Sequence, residues 1–353
     1  MRIIMLAGSA NTGFWPIVER FANAAAQDLG VHLEIIHFHS NPVLMQQRMT
    51  ALLESPEGQH PDGIIFYNYK RRGGELLKLA ERYRIPSILY NAGFHNDQNM
   101  GAPRERFRYW IGEILPDDHA AGALLAERLV TLGRERFLIP DSSHLTLVAL
   151  EGNRTSTANH KRVQGLRRYL ETQPDVKLAQ LFHSKWKRSL AFSAFSMAML
   201  RYPTTTLFWT ASDSMALGIM DGAREKGWIH GQNFLTGGID LLPSIQPHID
   251  RQELAVSIGG HYAEGAWALI ALFDYLKGLD FMPIHGVRMR STMVAVGPEE
   301  REKWNLLFLL DKRNLDAFDF KKLSRHYNGK LEHYKLDAGS LFDQLANVKN
   351  SEE

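Results

Sequence analysis

The stretch "RIIMLAGSANTGFWPIVERFANAAAQDLG", residues 2–30, decides the fold. Its first part, Ile3 to Ala7, is an apolar run of the length and branching expected of a buried strand. Its last part sets Val18, Phe21, Ala22, Ala25 and Leu29 at helical spacing, with Pro16 suited to the first helical position and Gly30 to the stop. Between them stand Phe14 and Trp15, two bulky rings on a connecting loop where small polar residues are the rule.

The same strand-then-helix rhythm repeats along the chain. Strands are read at 31–38, 62–68, 86–91, 108–114, 145–152, 176–182, 205–211, 233–240 and 254–260. Helices are read from Pro42 to about Leu53, at 74–84, from Asp118, near 161–170, near 190–200, at 213–227 and at 262–278. Strict alternation of short apolar strands with helices predicts an α/β fold of parallel sheets flanked by helices. There are too many units for one sheet of normal width, so two similar Rossmann-like lobes are expected. The lobes are then 1–113 plus 261–289 and 114–260 plus 290–297, with 298–353 an extension packing on the outside of one lobe and altering partner docking.

The chain has 353 residues, 41 Lys plus Arg against 39 Asp plus Glu, and a net charge of +2. That balance gives no footprint for nucleic acid or an anionic membrane. Short basic runs such as Lys70-Arg71-Arg72 and Lys185-Trp186-Lys187-Arg188 read as solvated faces or site rims. With no cysteine, disulfides, thiolate catalysis and cysteine-ligated zinc are excluded. His37 and His39 share a strand face without a third ligand and read as surface residues, so no metal is expected. No segment is long and apolar enough to span a bilayer, and Ile3 to Gly8 is too short for a secretory core segment.

Ligands of open α/β sheets bind outside the carboxyl ends of the strands, and those ends carry a recurring set of residues. Phe14-Trp15 and Asn11 follow the first strand, Asn91 follows "SILY", and Glu151 to Asn153 follow "TLVAL". Trp186 follows "LAQLFHSK", Ser212-Asp213 follow "LFWTA", Asp240 ends "LTGGI", and His261 follows "AVSIGG". Rings to cover C–H faces and Asp or Asn oxygens to accept hydroxyl protons suit a small polyhydroxylated molecule. Trp209, inside a strand, reads as core. Asp118 and Asp213 read as helix caps, Ser212 as pointing inward, and the Asn153 sequon as a chance match.

These motifs together resemble the type I periplasmic binding proteins of the sugar-binding kind. The likeness rests on "ANTGFWPIVERFANAAAQDLG", "YRIPSILYNAG", "PDDHAAGALLAERL", "HKRVQGL", "TASDSMALGIMDGAREKG" and "TGGID", over about residues 2–297. It implies aromatic walls at Phe14, Trp15 and Trp186, a polar anchor at Asn91, hydrogen bonds from Ser212 and Asp240, and contacts from Asn11, His160 and His261. It also implies a three-strand hinge between the lobes, with crossings near 113–116, 257–261 and 290–296, and a monomer without cofactor that closes its lobes on a sugar-like ligand. The closed form is then read by an ABC permease or a membrane sensor, in the periplasm after removal of a leader. The alternative, if Met1 is the true start, is a cytoplasmic sensor of the lactose-repressor effector type without a headpiece. Asn91-Ala92 stands where the family often has Asp-Arg, and His160 where it often has a gripping Arg. None of the common catalytic motifs occurs, so no enzyme activity is expected.

Overall fold

The computed structural model describes residues 1–8, 13–38, 41–56, 60–137, 144–301 and 303–348. Asn11 and His39 lie outside the described residues. The chain forms two compact units, each built on its own six-stranded sheet. Unit 1 comprises 1–116, 261–292 and 309–353, and unit 2 comprises 117–260 and 293–308.

In unit 1, β1 (Arg2–Ala7), β2 (His32–His37), β3 (Gly63–Phe66), β4 (Ser87–Tyr90) and β5 (Trp110–Pro116) are all parallel. The order is β11-β5-β4-β3-β1-β2, where β11 (Arg288–Ser291) returns late in the chain beside β5. Helices α1 (Trp15–Leu29), α2 (Pro42–Leu53), α3 (Gly73–Arg82) and α9 (Glu264–Leu276) belong to this unit. The buried side of α1 is Ile17, Val18, Phe21, Ala22, Ala25 and Leu29, as its spacing requires. It begins one residue earlier than the sequence suggests: Trp15 is the first helical residue, and Pro16 is the second.

Unit 2 repeats the plan with β6 (Leu145–Glu151), β7 (Val176–His183), β8 (Thr205–Thr210), β9 (Leu235–Asp240) and β10 (Val256–Gly259). Its order is β12-β10-β9-β8-β6-β7, with β12 (Val294–Val296) the one antiparallel member. Helices α4 (Asp118–Arg136), α5 (Thr157–Leu170), α6 (Arg188–Arg201), α7 (Asp213–Glu225) and α8 (Gln246–Asp250) belong here. Trp209 is fully buried among them. In each unit the strand order reverses direction at one place, between β1 and β3 and between β6 and β8. Those are the points where such sheets open a crevice for ligands.

Two caps differ from expectation. Asp117, not Asp118, caps α4 through Ala120 N–H at 2.9 Å. Ser212, not Asp213, caps α7 by accepting from Met215 N–H. In both places the following aspartate is thereby turned inward, for reasons the site makes plain.

The segment after Gly297 is shared between the units. Trp304 and Leu306 are buried in unit 2, where Leu306 N–H donates to Gln246 Oε1 at 2.9 Å. From Leu309 the chain packs on unit 1, burying Leu310, Leu315, Phe318, Phe320, Phe342 and Leu345. Fully buried Asp274 of α9 holds this stretch: Oδ1 accepts from Ser324 Oγ (2.6 Å) and His326 N–H (3.1 Å), and Oδ2 from Arg325 N–H (2.7 Å) and Tyr334 O–H (2.8 Å).

Candidate functional site

In unit 1, β1 runs out into Gly8 at the switch point. Trp15 lies so near that a Cβ on Gly8 would come within 2.2 Å of its Nε1, so the ring fits only against glycine. Tyr67, directly after β3, stacks on Trp15 with centroids 4.7 Å apart, and Tyr90 at the end of β4 meets it edge-on at 6.4 Å. Phe38, after β2, stands 5.8 Å from Tyr67. Rings at the ends of three strands, β2, β3 and β4, thus gather with the Trp15 ring of α1. Phe14 meets Trp15 edge-on at 5.4 Å and the buried ring of His261 at 4.7 Å, bringing three of the expected site residues together.

Polar groups brace this aromatic wall from behind. The Tyr90 hydroxyl donates to the Leu6 carbonyl at 2.8 Å. His37 is half-buried rather than a surface residue, with Nδ1 3.0 Å from the Gly8 carbonyl and Nε2 3.6 Å from Glu19. Burial raises the Glu19 carboxyl, and His37 opposes that rise. Asn91 sits half-buried after β4 at φ 60°, a left-handed conformation that asparagine tolerates better than most residues.

Unit 2 carries a matching seat. A Cβ on Gly152, just past β6, would come within 2.2 Å of the Trp186 indole. Trp186 itself is left-handed at φ 64° and borders an open cavity of about 610 Å³ with Phe192, Ser214 and Asp221. Beside it the character changes from aromatic to charged. The Arg162 guanidinium lies 5.7 Å from the Trp186 ring centre. Its Nε donates to Asp118 Oδ1 at 2.8 Å, and its Nη1 donates to the Ala211 carbonyl at 2.8 Å and to Asp240 Oδ1 at 3.2 Å. Asp213, behind them, accepts from Ser257 Oγ at 2.6 Å and from Leu242 N–H at 2.8 Å.

Asp118, Asp240 and Asp213 therefore cluster about the Arg162 guanidinium. Burial pushes Asp240 up to about 8, against the pull of Arg162 and with the help of Asp213. Burial likewise pushes Asp213 up to about 6, opposed by its hydrogen bonds from Ser257 and Leu242. Asp118 is raised by burial and pulled back by Arg162. Burial alone would lower Arg162, but the carboxylates of Asp118 and Asp240 outweigh it and keep the guanidinium charged. Asp240 is the member of this cluster with appreciable exposure, at 15% of its side chain.

His160 is exposed on α5, whereas Arg162, two residues on, is buried. Two positions along a helix point to opposite faces, so the structure brings Arg162 and not His160 to Asp240 and Trp186. The sequence placed His160 at this position, and the structure places Arg162 there instead. Ser212 is buried and its hydroxyl oxygen is engaged in capping α7. Glu151 is buried beneath Arg154 (2.6 Å) and Asn159 (3.3 Å). Tyr67, Tyr90, Phe38, Arg162 and Asp118 were missed as site residues. For the rings a signal existed, since "IIHF", "IIFY" and "SILY" all close a strand on an aromatic residue. No grouping of His, Asp and Glu fit to hold a metal ion occurs among the described residues.

Residues 3–280 match the family model described as a periplasmic binding protein domain. Among solved structures, a periplasmic sugar-binding protein from Pseudomonas fluorescens is 29% identical, covering 96% of this chain and 99% of its own, with a TM-score of 0.85. A solute-binding protein from Actinobacillus succinogenes 130z with bound D-allose is 16% identical (86% and 99% covered, TM-score 0.71). One from Bacillus halodurans C-125 with bound myo-inositol is 14% identical (87% and 98% covered, TM-score 0.70). The last two share the fold. No curated protein matches the sequence.

Proposed function

The chain belongs to the periplasmic binding protein domain family, and from that premise we propose that it is a solute-binding protein for a small polyhydroxylated ligand, a sugar or a close analogue. One observation carries the reading: at the switch point of each unit a tryptophan lies against the glycine that follows the first strand, with hydrogen-bonding groups beside it. Indole and phenol faces cover the C–H surfaces of a sugar ring, and Asp240 offers its hydroxyls a polar partner. The likeness to a periplasmic sugar-binding protein over nearly the whole of both chains supports the same class. In this proposal Phe14, Trp15, Asn91 and His261 act from unit 1, and Trp186, Asp240 and Arg162 from unit 2. Ligand binding selects a closed form, which an ABC permease in the periplasmic membrane system reads. The protein acts by binding, without catalysis.

A thermal-shift screen of the full chain tests this reading with D-ribose, D-allose and myo-inositol as probes. A binder at a hundredfold excess over its dissociation constant stabilises by about 2.7 kcal/mol. Trp15→Ala and Trp186→Ala should each abolish that gain while retaining the far-UV spectrum. Normal binding by both variants would remove the proposed site.

A further inference from the structure

Tyr67 stands at the switch point of unit 1, one residue past β3 and stacked on Trp15. It keeps only 4% of its surface exposed. Rings enclose it: Trp15 at 4.7 Å, Phe38 at 5.8 Å, and Tyr69 and Tyr90 each at 5.9 Å. The two strand-end tyrosines of this cluster are used differently. Tyr90 donates its hydroxyl to the Leu6 carbonyl, whereas the Tyr67 hydroxyl makes no hydrogen bond among the described residues. Burial drives its ionisation well above the usual tyrosine range, so it stays a neutral phenol able to donate. Phenylalanine would keep every ring contact and leave no idle hydroxyl, and phenylalanines do stand at Phe66 and Phe38 next to it. The ring of Tyr67 is held by its neighbours, while its hydroxyl is not spent on a hydrogen bond within the fold. Its location is where the sheet opens to ligand.

We propose that the Tyr67 hydroxyl is the hydrogen-bond donor by which unit 1 selects its ligand, recognising one oxygen of a polyol or sugar whose C–H face lies along the Trp15 ring. This rests on the sugar-binding reading and adds to it the group that reads a single oxygen position. A site built to pair an oxygen rejects an analogue lacking it far more strongly than an apolar pocket does, because the buried group is then left unpaired.

The full-length Tyr67→Phe variant tests this in two measurements. The first is the melting temperature without ligand. A hydroxyl held in reserve predicts a variant that melts with the wild type or about 1–3 °C above it. A lower melting temperature would mean the hydroxyl serves the fold and would overturn the proposal. The second is calorimetric affinity for D-ribose, D-allose and myo-inositol, then for each monodeoxy derivative of the tightest binder. Tyr67→Phe should weaken the parent compound about tenfold or more. For one monodeoxy derivative, the variant and the wild type should bind alike, which marks the oxygen that Tyr67 reads. Equal affinities for the parent would overturn the assignment of Tyr67 while leaving the sugar reading standing. A panel that leaves the wild type itself unbound overturns the sugar reading, and this proposal with it.

Discussion

Replacing Arg162 by methionine should destabilise unit 2 strongly, and by an amount that depends on pH. The guanidinium holds Asp118 at 2.8 Å and Asp240 at 3.2 Å, and both it and Asp118 are almost wholly buried. Methionine fills similar volume but removes the guanidinium charge that those carboxylates face, a change that costs about 3–5 kcal/mol at buried pairs. Asp240 and Asp213 already sit at about 8 and about 6, above their unfolded values, so each binds its proton more tightly in the folded state. Stability from such groups is present at low pH and is lost as pH rises through the folded-state value. At pH 5 the carboxyls accept protons and the loss should fall to about 1–2 kcal/mol, the worth of the missing hydrogen bonds. At pH 8.5 the full cost appears, about 6–20 °C in melting temperature for a domain of this size. Denaturant melts followed by circular dichroism at both pH values give the comparison. Equal losses at pH 5 and 8.5, or a loss below about 1 kcal/mol at the higher pH, would refute the charge argument.

Two further outcomes follow from the packing. Gly152→Ala should cost the fold only about 1–2 kcal/mol, since the added methyl group meets a half-exposed ring that can move aside. It should nonetheless change the near-ultraviolet spectrum and weaken ligand binding by displacing Trp186, and an unchanged spectrum would show that the indole does not need the glycine. Asp274→Asn should lower stability by about 3 kcal/mol, because an amide nitrogen would replace an oxygen that accepts from two donors. Limited proteolysis should then cut first between Ser324 and Tyr334, and resistance equal to the wild type would contradict this.

The architecture was legible because it depends on periodicity. Apolar runs such as "DGIIFYN" and "LTGGID" have the length and flanking turns of buried parallel strands, and the alternation with helices leaves few topologies. The aromatic members of the site were partly legible, since Phe14 and Trp15 break the rule for loops. The charged members were not. Asp118 and Asp213 occupy positions where capping is the ordinary use of an aspartate, and the caps were in fact made by Asp117 and Ser212, their immediate neighbours. A shift of one residue at a helix start turns a surface cap into a buried ion. His160 and Arg162 show the same limit. Which of two nearby residues faces inward depends on where the helix begins, and α5 begins at Thr157, four residues before its expected start.

Unit 1 is made of three separated pieces of chain, and its last contacts reach Asp274 from beyond residue 323. Synthesis is vectorial, so the first residues to leave the ribosome belong to the body that is completed last. Unit 2, whose strands have all emerged by Val296, can consolidate while unit 1 still lacks the clasp around α9. A nascent chain with about 310 residues clear of the ribosome should therefore hold one finished body and one waiting for its end, the reverse of the usual order in which the amino terminus matures first.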